Sequence, residues 1–278
     1  MRFVFSNMII LFFNVSLTLF GVYSPNCNIN DTKSKNDIIF KEILKDYNTE
    51  GKTIVIDPGH GGKDKGTSFG KYNEKNITLE IALKLKKQLE IMLPELNIVL
   101  TRVNDTFIPL HRRVEIANTL GADLFISIHC NSFKEDKKIN GIEVFTLGVT
   151  EAKDNLDVAF RENASVLLEN DHQNNYDWYD PNSIEAHIFL ATFQNIHMEE
   201  SVLLASKLVG FLHRGSTMKN RGVKQSGFVI LKQAVMPSIL IETGFLSNPK
   251  DRKKLTTDKG QNGIANEISK AVVSYFNR

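Results

Sequence analysis

The stretch Thr53-Ile-Val-Ile-Asp57-Pro58-Gly59-His60-Gly61-Gly62 carries the strongest structural signal in the chain. Its three β-branched apolar residues, Ile54 to Ile56, predict a buried strand, and the proline, which has no amide hydrogen to donate, marks the end of that strand. The glycines allow a sharp turn at the carboxyl end, so His60 is expected to project from the edge of a sheet. Ligands of open α/β sheets bind at that edge.

The composition is that of a folded protein. The chain has 278 residues, of which 42% are hydrophobic and 24% are charged, and its net charge is +2. This length is sufficient to bury a full core in one large domain or two small ones. Because the charge is nearly balanced, no nucleic-acid partner is expected. Cys27 and Cys130 lack the spacing of a zinc or redox pair, which predicts two free thiols.

The first fifty residues are expected to lie outside the folded domain. Residues 1–24 begin with one positive charge at Arg2 and continue with an apolar run from Met8 to Val22, the pattern of a signal peptide. An uncleaved anchor is the alternative interpretation and the only membrane contact that the sequence suggests. Residues 25–50 are polar and rich in Asn, Asp and Lys, which predicts a linker. Export, with the periplasm as the favoured compartment, is therefore expected.

Residues 51–278 are predicted to form one domain in which strands alternate with helices. Apolar residues at helical spacing predict helices after the first and second strands and at the end of the chain. The alternation predicts an α/β fold with a central sheet covered by helices on both faces. The predicted strands are Ile54–Ile56, Ile98–Thr101, Leu124–Ile128, Ile142–Leu147, Phe228–Leu231 and Ile239–Ile241.

One segment interrupts this alternation. The fourth and fifth predicted strands are separated by about eighty residues, far more than a connection needs. Residues 150–195 are interpreted as an insertion that calls for a function, and their polar first half contains an aromatic, turn-rich stretch from Asn174 to Pro181. From Ser183 to Leu212 the absence of proline fits one long helix or two consecutive helices.

Four side chains are candidates for chemistry because each stands where a predicted strand ends or a helix begins. His60 and His129 follow the first and third strands, and Glu74 opens the first helix. Two imidazoles and one carboxylate leave the fourth position of a tetrahedral metal open, as in a catalytic zinc site. Glu242 ends the sixth strand directly before Thr-Gly, where a glutamate beside such a metal could serve as general base and acid.

These residues lie in sequence blocks that resemble the zinc-dependent N-acetylmuramoyl-L-alanine amidases of bacterial cell walls. The resemblance implies a phosphorylase/hydrolase-like sandwich with a six-stranded mixed sheet, and it implies peptidoglycan as the substrate. The blocks follow one another in order between residues 52 and 275, and only Cys130 departs mildly from the small residues usual at its position. They are Thr53–Gly62, Asn73-Glu74, Ala122–Asn131, Gly141–Phe145, Gly227–Leu231, Met236–Ser238 and Ile239–Asn248.

By this resemblance His60, Glu74 and His129 hold one zinc ion, and Glu242 is the catalytic acid/base of metal-assisted amide hydrolysis. Three further roles are expected from position. Asp57 is a candidate to orient His60, and Asn131 is a candidate to contact the substrate; a turn-forming role is the alternative for both. Arg112 and its neighbour Arg113 are expected on a solvated helix face, with a substrate carboxylate as the alternative contact for Arg112.

The inserted segment suggests regulation. The resemblance extends to division amidases of Gram-negative bacteria, in which an inserted helical segment covers the site until a partner protein displaces it. An acidic side chain of this segment, Glu162, Glu169 or Glu185, is therefore hypothesised to block or ligate the zinc at rest. The rival hypothesis is a wall-binding flap in which Trp178 and Tyr179 stack on sugar.

Two other functions remain open from the sequence. One is a different zinc peptidase or deacetylase acting on the same polymer, which product analysis would distinguish because only an amidase frees an N-terminal L-alanine. The other is an inactive relative that binds the wall or regulates a partner. Retention of all three ligand types together with Glu242 argues against the inactive alternative.

Overall fold

The computed structural model describes most of the chain after residue 50. The predicted leader and linker, Cys27 and Trp178 lie outside the described residues. These are residues 51–133, 135–150, 152–170, 172–176, 179–180, 183–191, 197–215 and 218–277.

Strands and helices alternate along the domain, as the sequence predicts. The strands are β1 (Thr53–Pro58), β2 (Ser68–Phe69), β3 (Tyr72–Asn73), β4 (Asn97–Leu100), β5 (Leu124–Asn131), β6 (Ile142–Leu147), β7 (Asn220–Ser226) and β8 (Ser238–Phe245). The helices are α1 (Glu74–Met92), α2 (Leu110–Thr119), α3 (Lys153–Asn163), α4 (His172–Asn175), α5 (Ile184–Ala191), α6 (Met198–Gly215), α7 (Val229–Lys232), α8 (Pro249–Leu255) and α9 (Asp258–Phe276), with a 3₁₀ helix at Ala164–Leu168. None of the helices in the described ranges has the length and apolar character that a bilayer crossing needs.

Six strands form one mixed sheet in the order β4-β1-β5-β8-β6-β7. All neighbouring pairs are parallel except β6 and β8, which run antiparallel. Every residue of β1, β5, β6 and β8 is buried, as expected for strands covered on both faces. The predicted six-stranded mixed sheet is thus confirmed, and the carboxyl ends of β1, β5 and β8 meet at one edge.

The position of one predicted strand is wrong. The segment predicted as the fifth strand, Phe228–Leu231, contains most of the short helix α7, and the sixth member of the sheet is β7. Phe228, Ile230 and Leu231 are apolar because they pack in the core. β7 is polar and half-buried because it is an edge strand paired only with β6. A short apolar run does not distinguish a buried strand from a buried helical turn.

Helices cover the sheet on both faces. On one face, α1, α6 and α9 pack against alternate residues of β1 such as Ile54 and Ile56. On the other, α2, α3 and α7 pack around Val55, Phe125 and Phe145. The helix predicted at the end of the chain is α9. Its buried residues include Ile264, Ile268, Val272 and Tyr275, which recur at helical spacing.

The predicted insertion contains α3, the 3₁₀ helix, α4 and α5. Within Ser183–Leu212, the described residues form α5 and most of α6. Val158 and Ala159 of α3 join the main core. The later part of the segment has a small core of its own, in which Tyr179 and Leu190 pack against Val229. Tyr179 is buried and its hydroxyl lies 3.0 Å from Nε2 of His187, so it does not present a face for sugar stacking.

Candidate metal centre

His60 owes its position to an unusual local backbone. It has a positive φ of 62°, which is uncommon outside glycine and marks a functional or tightly packed turn. The chain is held there by the amide of Gly59, which donates to the carbonyl of Ile128 at 2.9 Å. A side chain at position 59 would overlap the imidazole of His129, so the glycine lets the ends of β1 and β5 bring the two histidines together.

Four buried side chains converge beside this turn. His60, Glu74, His129 and Glu162 each offer one ligand atom, and these atoms all lie within 4.8 Å of one another. Oε1 of Glu74 lies 3.1 Å from Nε2 of His60 and 3.3 Å from Nδ1 of His129. Oε2 of Glu162 lies 3.1 Å and 2.8 Å from the same two nitrogens.

Neighbouring groups fix the orientation of two members of this cluster, His60 and Glu74. Nδ1 of His60 lies 2.8 Å from a carboxylate oxygen of Asp64, so Nε2 faces the centre. Glu74 accepts hydrogen bonds from the backbone amides of Thr67 and Cys130, each at 2.8 Å. Carboxylates that support a ligating histidine in this way are typical partners around metal sites. Cys130 is a buried free thiol.

Glu242, in the second half of β8, is fully buried beside the cluster. Its Oε1 accepts a hydrogen bond from Arg161 at 3.1 Å, and the same guanidinium donates to Glu162 at 2.8 Å and to the carbonyl of Ser132 at 3.2 Å. Arg161 and Glu162 are adjacent on α3. One turn of the inserted segment therefore contacts both the histidine cluster and the candidate acid/base.

The donor set fits a metal ion. Nε2 of His60, Nδ1 of His129 and Oε2 of Glu162 are buried atoms without a hydrogen-bond partner in the described residues, and Oε2 of Glu242 is a fourth. Buried polar atoms are rarely left unpaired, and two imidazole nitrogens with two carboxylates are a common ligand set of zinc. A cation at their centre would satisfy the first three atoms together.

Electrostatics at the cluster reflect the crowding of carboxylates. Burial opposes a charged imidazole at His129, but Glu162 and Glu74 outweigh it and raise the pKa of His129 to about 9. The pKa of His60 is raised well above its usual value, because Glu74 and Asp64 outweigh the same burial effect. Burial, reinforced by the nearby charge of Glu162, raises the pKa of Glu242 well above that of a free glutamate. A carboxylate with a raised pKa is a stronger base than that of a free glutamate, as general base catalysis requires.

The other residues singled out in the sequence do not all reach this centre. The hydrogen bonds of Asp57 go to Thr101, Ser127 and Arg113, whereas the imidazole of His60 bonds Asp64. Asp57 is linked to His60 through Arg113, which also donates to the carbonyl of His60 at 2.7 Å. Arg113 is only 1% exposed, which corrects its predicted solvated position. The apolar stripe of α2 could not reveal that its arginine reaches a buried carboxylate.

Three of these residues lie apart from the cluster. Arg112 is partly exposed and bonds Glu115 on its own helix. Glu169 accepts hydrogen bonds from the amide of Leu110 and from Tyr176, and Glu185 is exposed and bonded to Ser183. Of the three acidic residues hypothesised to reach the metal, Glu162 is the one that joins the histidine cluster.

The sequence analysis does not identify two residues of the site, Asp64 and Arg161. Asp64 follows His60 by four residues and could have been noticed as a nearby carboxylate. Arg161 gives no sequence signal other than its position next to Glu162.

A cavity of about 970 Å³ opens beside the cluster. Its walls include His60, Asn131 and Arg161, so it leads to the candidate centre. Asn131 donates from Nδ2 to Oε2 of Glu143 at 2.7 Å. The cavity provides room for a ligand larger than water at the edge of the sheet where ligands of α/β proteins bind.

Proteins of known function are similar to this chain in sequence. The model of the N-acetylmuramoyl-L-alanine amidase family matches residues 54–274. N-acetylmuramoyl-L-alanine amidase AmiA of Escherichia coli strain K12 is 34% identical over 249 residues, which cover 84% of this chain and 83% of that relative. AmiC of Escherichia coli O6:H1 strain CFT073 is 33% identical over 227 residues, which cover 80% of this chain and 52% of that relative. This chain thus spans about half the length of the AmiC relative.

A solved structure gives the same result. The crystal structure of an N-acetylmuramoyl-L-alanine amidase from Clostridium difficile 630 superposes with a TM-score of 0.60 at 29% identity. The match covers 82% of this chain and 98% of that one. Each of these proteins is named for the same amidase activity.

Proposed function

The chain belongs to the N-acetylmuramoyl-L-alanine amidase family, and we propose that it hydrolyses the amide bond between the lactyl group of N-acetylmuramic acid and L-alanine in peptidoglycan. The observation that carries the proposal is the convergence of His60, Glu74 and His129 beside the buried carboxyl group of Glu242. Those three side chains would hold one zinc ion. Bound zinc would supply Lewis-acid chemistry by polarising the scissile carbonyl and acidifying water.

The protein's own groups would handle the protons. Glu242 would accept a proton from water as the water oxygen bonds to the carbonyl carbon. It would then return that proton to the nitrogen of L-alanine as the carbon–nitrogen bond breaks. The products are a lactyl carboxylate on the glycan and a free amine on the peptide. The raised pKa of Glu242 makes its carboxylate a stronger base for the first of these transfers.

The resting enzyme is proposed to be inhibited by its own α3. Glu162 lies where a fourth metal ligand would lie, at 3.1 Å from Nε2 of His60. Arg161 occupies one oxygen of Glu242 through an ion pair. Each contact would compete with substrate for the centre and so lower basal hydrolysis. A protein activator that displaces the segment around residues 150–195 is the partner that this arrangement implies.

The cellular setting follows from the remaining sequence predictions. A leader over residues 1–24 and a linker over residues 25–50 would export the domain of residues 51–278, most simply to the periplasm, either free or tethered. An inhibited wall amidase in that compartment is suited to cell separation or wall turnover. Controlled release from inhibition would protect the cell from indiscriminate cutting of its own wall.

The decisive experiment combines Glu242→Gln with product analysis. The zinc-loaded wild type is expected to release peptides with an N-terminal L-alanine from purified sacculi, as read by mass spectrometry. The variant is expected to lose about 10²–10⁴-fold in rate while keeping its metal. Products with a different new end would indicate a peptidase or deacetylase instead. Hydrolysis by the variant near the wild-type rate would refute the assignment of Glu242.

A further inference from the structure

A second cluster of charged side chains lines the same cavity, on the edge strand β7. Arg221 and Lys224 both reach Oε1 of Glu143, each at 2.6 Å. Glu143 is only 2% exposed at its side chain, whereas Arg221 and Lys224 are 21% and 18% exposed. All three residues line the cavity that leads to the candidate metal centre.

The local backbone places both cations on one side of the strand. Residues 221 and 224 would face opposite sides of a regular strand, because side chains alternate. Here Ile142 pairs with Asn220 and Val144 pairs with Val223, so three steps on β7 match two on β6. Gly222, with a φ of 90°, lies within this bulge. Bulges re-aim side chains beside active sites, and this one turns both cations toward Glu143.

Arg221, Lys224 and Glu143 together carry one net positive charge. Both cations bond the same oxygen of Glu143, whose other oxygen accepts from Asn131. Asp251 also interacts with Arg221, but its Oδ2 accepts hydrogen bonds from two backbone amides. Within the described residues, neither terminal nitrogen of Arg221 has a hydrogen-bond partner. The other acids of the cavity wall interact with different basic groups: Asp157, Asp154 and Glu135 with Lys153, and Asp64 with His60. An anion in the cavity would therefore find both charge and free donors.

The register relates this cluster to the reacting bond. Glu143 pairs directly with Glu242 across β6 and β8, and β7 is the next strand. Two strand spacings amount to roughly 10 Å, a distance that two or three residues of extended peptide span. The peptide side of the scissile amide would thus bring a carboxylate of the stem to Arg221 and Lys224.

On the basis of the proposed function, we infer that Arg221 and Lys224, supported by Glu143, form a subsite for a free carboxylate of the peptide stem. The forked guanidinium suits a carboxylate, to which it can donate two parallel hydrogen bonds. The subsite selects stem peptides that carry a free carboxylate, and it sets the orientation in which the peptide binds relative to the metal centre. It acts on substrate binding rather than on the chemical step.

The test uses the full, zinc-loaded chain and muramoyl tripeptides whose carboxyl groups are amidated one at a time. Amidation of one particular carboxyl group is expected to raise the wild-type KM about tenfold or more, since hydrogen bonds between charged groups are the strong ones. Lys224→Met and Arg221→Met are expected to raise the KM for the acidic peptide by a similar factor with kcat unchanged. Their KM for the amidated peptide should stay at the wild-type value.

The controls separate this role from a structural one. Each single substitution leaves Glu143 one cation, so the fold is kept. Lys224→Arg keeps the positive charge and, unlike Lys224→Met, should leave the KM for the acidic peptide near the wild-type value. Lys84→Met removes a lysine of similar exposure, paired with Glu80 on α1, and should change neither substrate. If no amidation affects the KM, or if both variants lose activity equally on acidic and amidated peptides, the subsite is refuted. Failure of both the wild type and the Glu162→Gln chain, in which self-inhibition is relieved, to cleave any peptide would instead refute the proposed function.

Discussion

Glu162 and Glu169 are both buried glutamates of the inserted segment, but they contact different parts of the molecule and therefore have different roles. Glu162 lies 2.8 Å from Nδ1 of His129, and Glu169 accepts from the amide of Leu110 at 2.7 Å. Glu169 therefore fastens the segment to the start of α2, whereas Glu162 reaches the candidate metal. The difference arises from neighbouring elements, which the sequence around each glutamate does not show.

Glu162→Gln tests self-inhibition at the scale of one side chain. The amide keeps the shape of the side chain but loses the charge that competes with substrate at the metal. Basal hydrolysis of sacculi by the full chain should rise about 10- to 100-fold, as expected for loss of a charged contact. Zinc content should remain one per chain, measured by mass spectrometry. Glu169→Gln is the matched control and should not activate. Unchanged basal activity in Glu162→Gln would contradict self-inhibition by this residue.

The buried pair of Asp57 and Arg113 predicts a pH-dependent stability. Burial raises the pKa of Asp57, but Arg113, Thr101 and Ser127 outweigh burial and lower it below the value of 3.8. A carboxyl group with a lowered pKa stabilises the fold above its unfolded pKa and loses that contribution as the pH falls through the folded pKa. Asp57→Asn should therefore cost about 3–5 kcal/mol near neutral pH, because Arg113 is left buried without its counter-charge.

The measurement for this pair is urea unfolding of wild type and variant between pH 7 and pH 3. The difference in unfolding free energy should shrink once the pH falls below about 4, where the unfolded wild-type carboxyl group also binds a proton. Asp105→Asn, which removes an exposed partner of Lys75, should cost less than about 1 kcal/mol. Equal costs for the two substitutions would contradict the buried-pair interpretation.

At the scale of elements, the site residues that follow buried strands could be predicted from the sequence. His60, His129 and Glu242 each follow an apolar run, and parallel strands bring such ends to one edge. β7 was not predictable in the same way, because an edge strand is half-solvated and its polar residues give no apolar signal. Arg113 was misplaced for a related reason: helix periodicity assigns charged residues to solvent, and only the neighbouring strand shows that Asp57 is within reach. Glu162 could not be chosen over Glu169 without the packing of α3.

The small core of the insertion can be loosened separately from the main cores. Leu190 of α5 is fully buried there with Val166 and Tyr179. Leu190→Asp should cost this cluster about 3 kcal/mol, since it buries an unpaired charge. If the segment restrains the centre, α3 amides should exchange hydrogen faster, β5 amides should not, and basal hydrolysis should rise. Ile188→Asp, at a position that is 44% exposed on the same helix, is the control. Faster exchange in α3 without any gain in hydrolysis would argue against restraint by packing.

At the scale of the whole molecule, the centre joins parts of the chain that are far apart in sequence. The turn after β1, helix α1, strand β5 and helix α3 each contribute one member of the cluster. Without a cation, the carboxylates of Glu74 and Glu162 depend on protonated imidazoles for compensation. A metal ion at this cluster would connect the sheet, the first helix and the insertion at one point, and its binding should stabilise all three together.

Metal removal should accordingly lower the unfolding temperature of the full chain. A ligand that binds only the folded state at 100 times its Kd adds about 2.7 kcal/mol, which corresponds to a shift of roughly 5–10 °C for a domain of this size. Thermal unfolding in excess chelator and after restoration of one equivalent of zinc would measure it. His60→Ala should abolish the difference, because the substitution removes one proposed metal ligand, the imidazole that Asp64 supports. His111→Ala, outside the cluster, should preserve the difference. A chain that unfolds at the same temperature with and without zinc would leave the four converging side chains without the ion that their unpaired atoms imply.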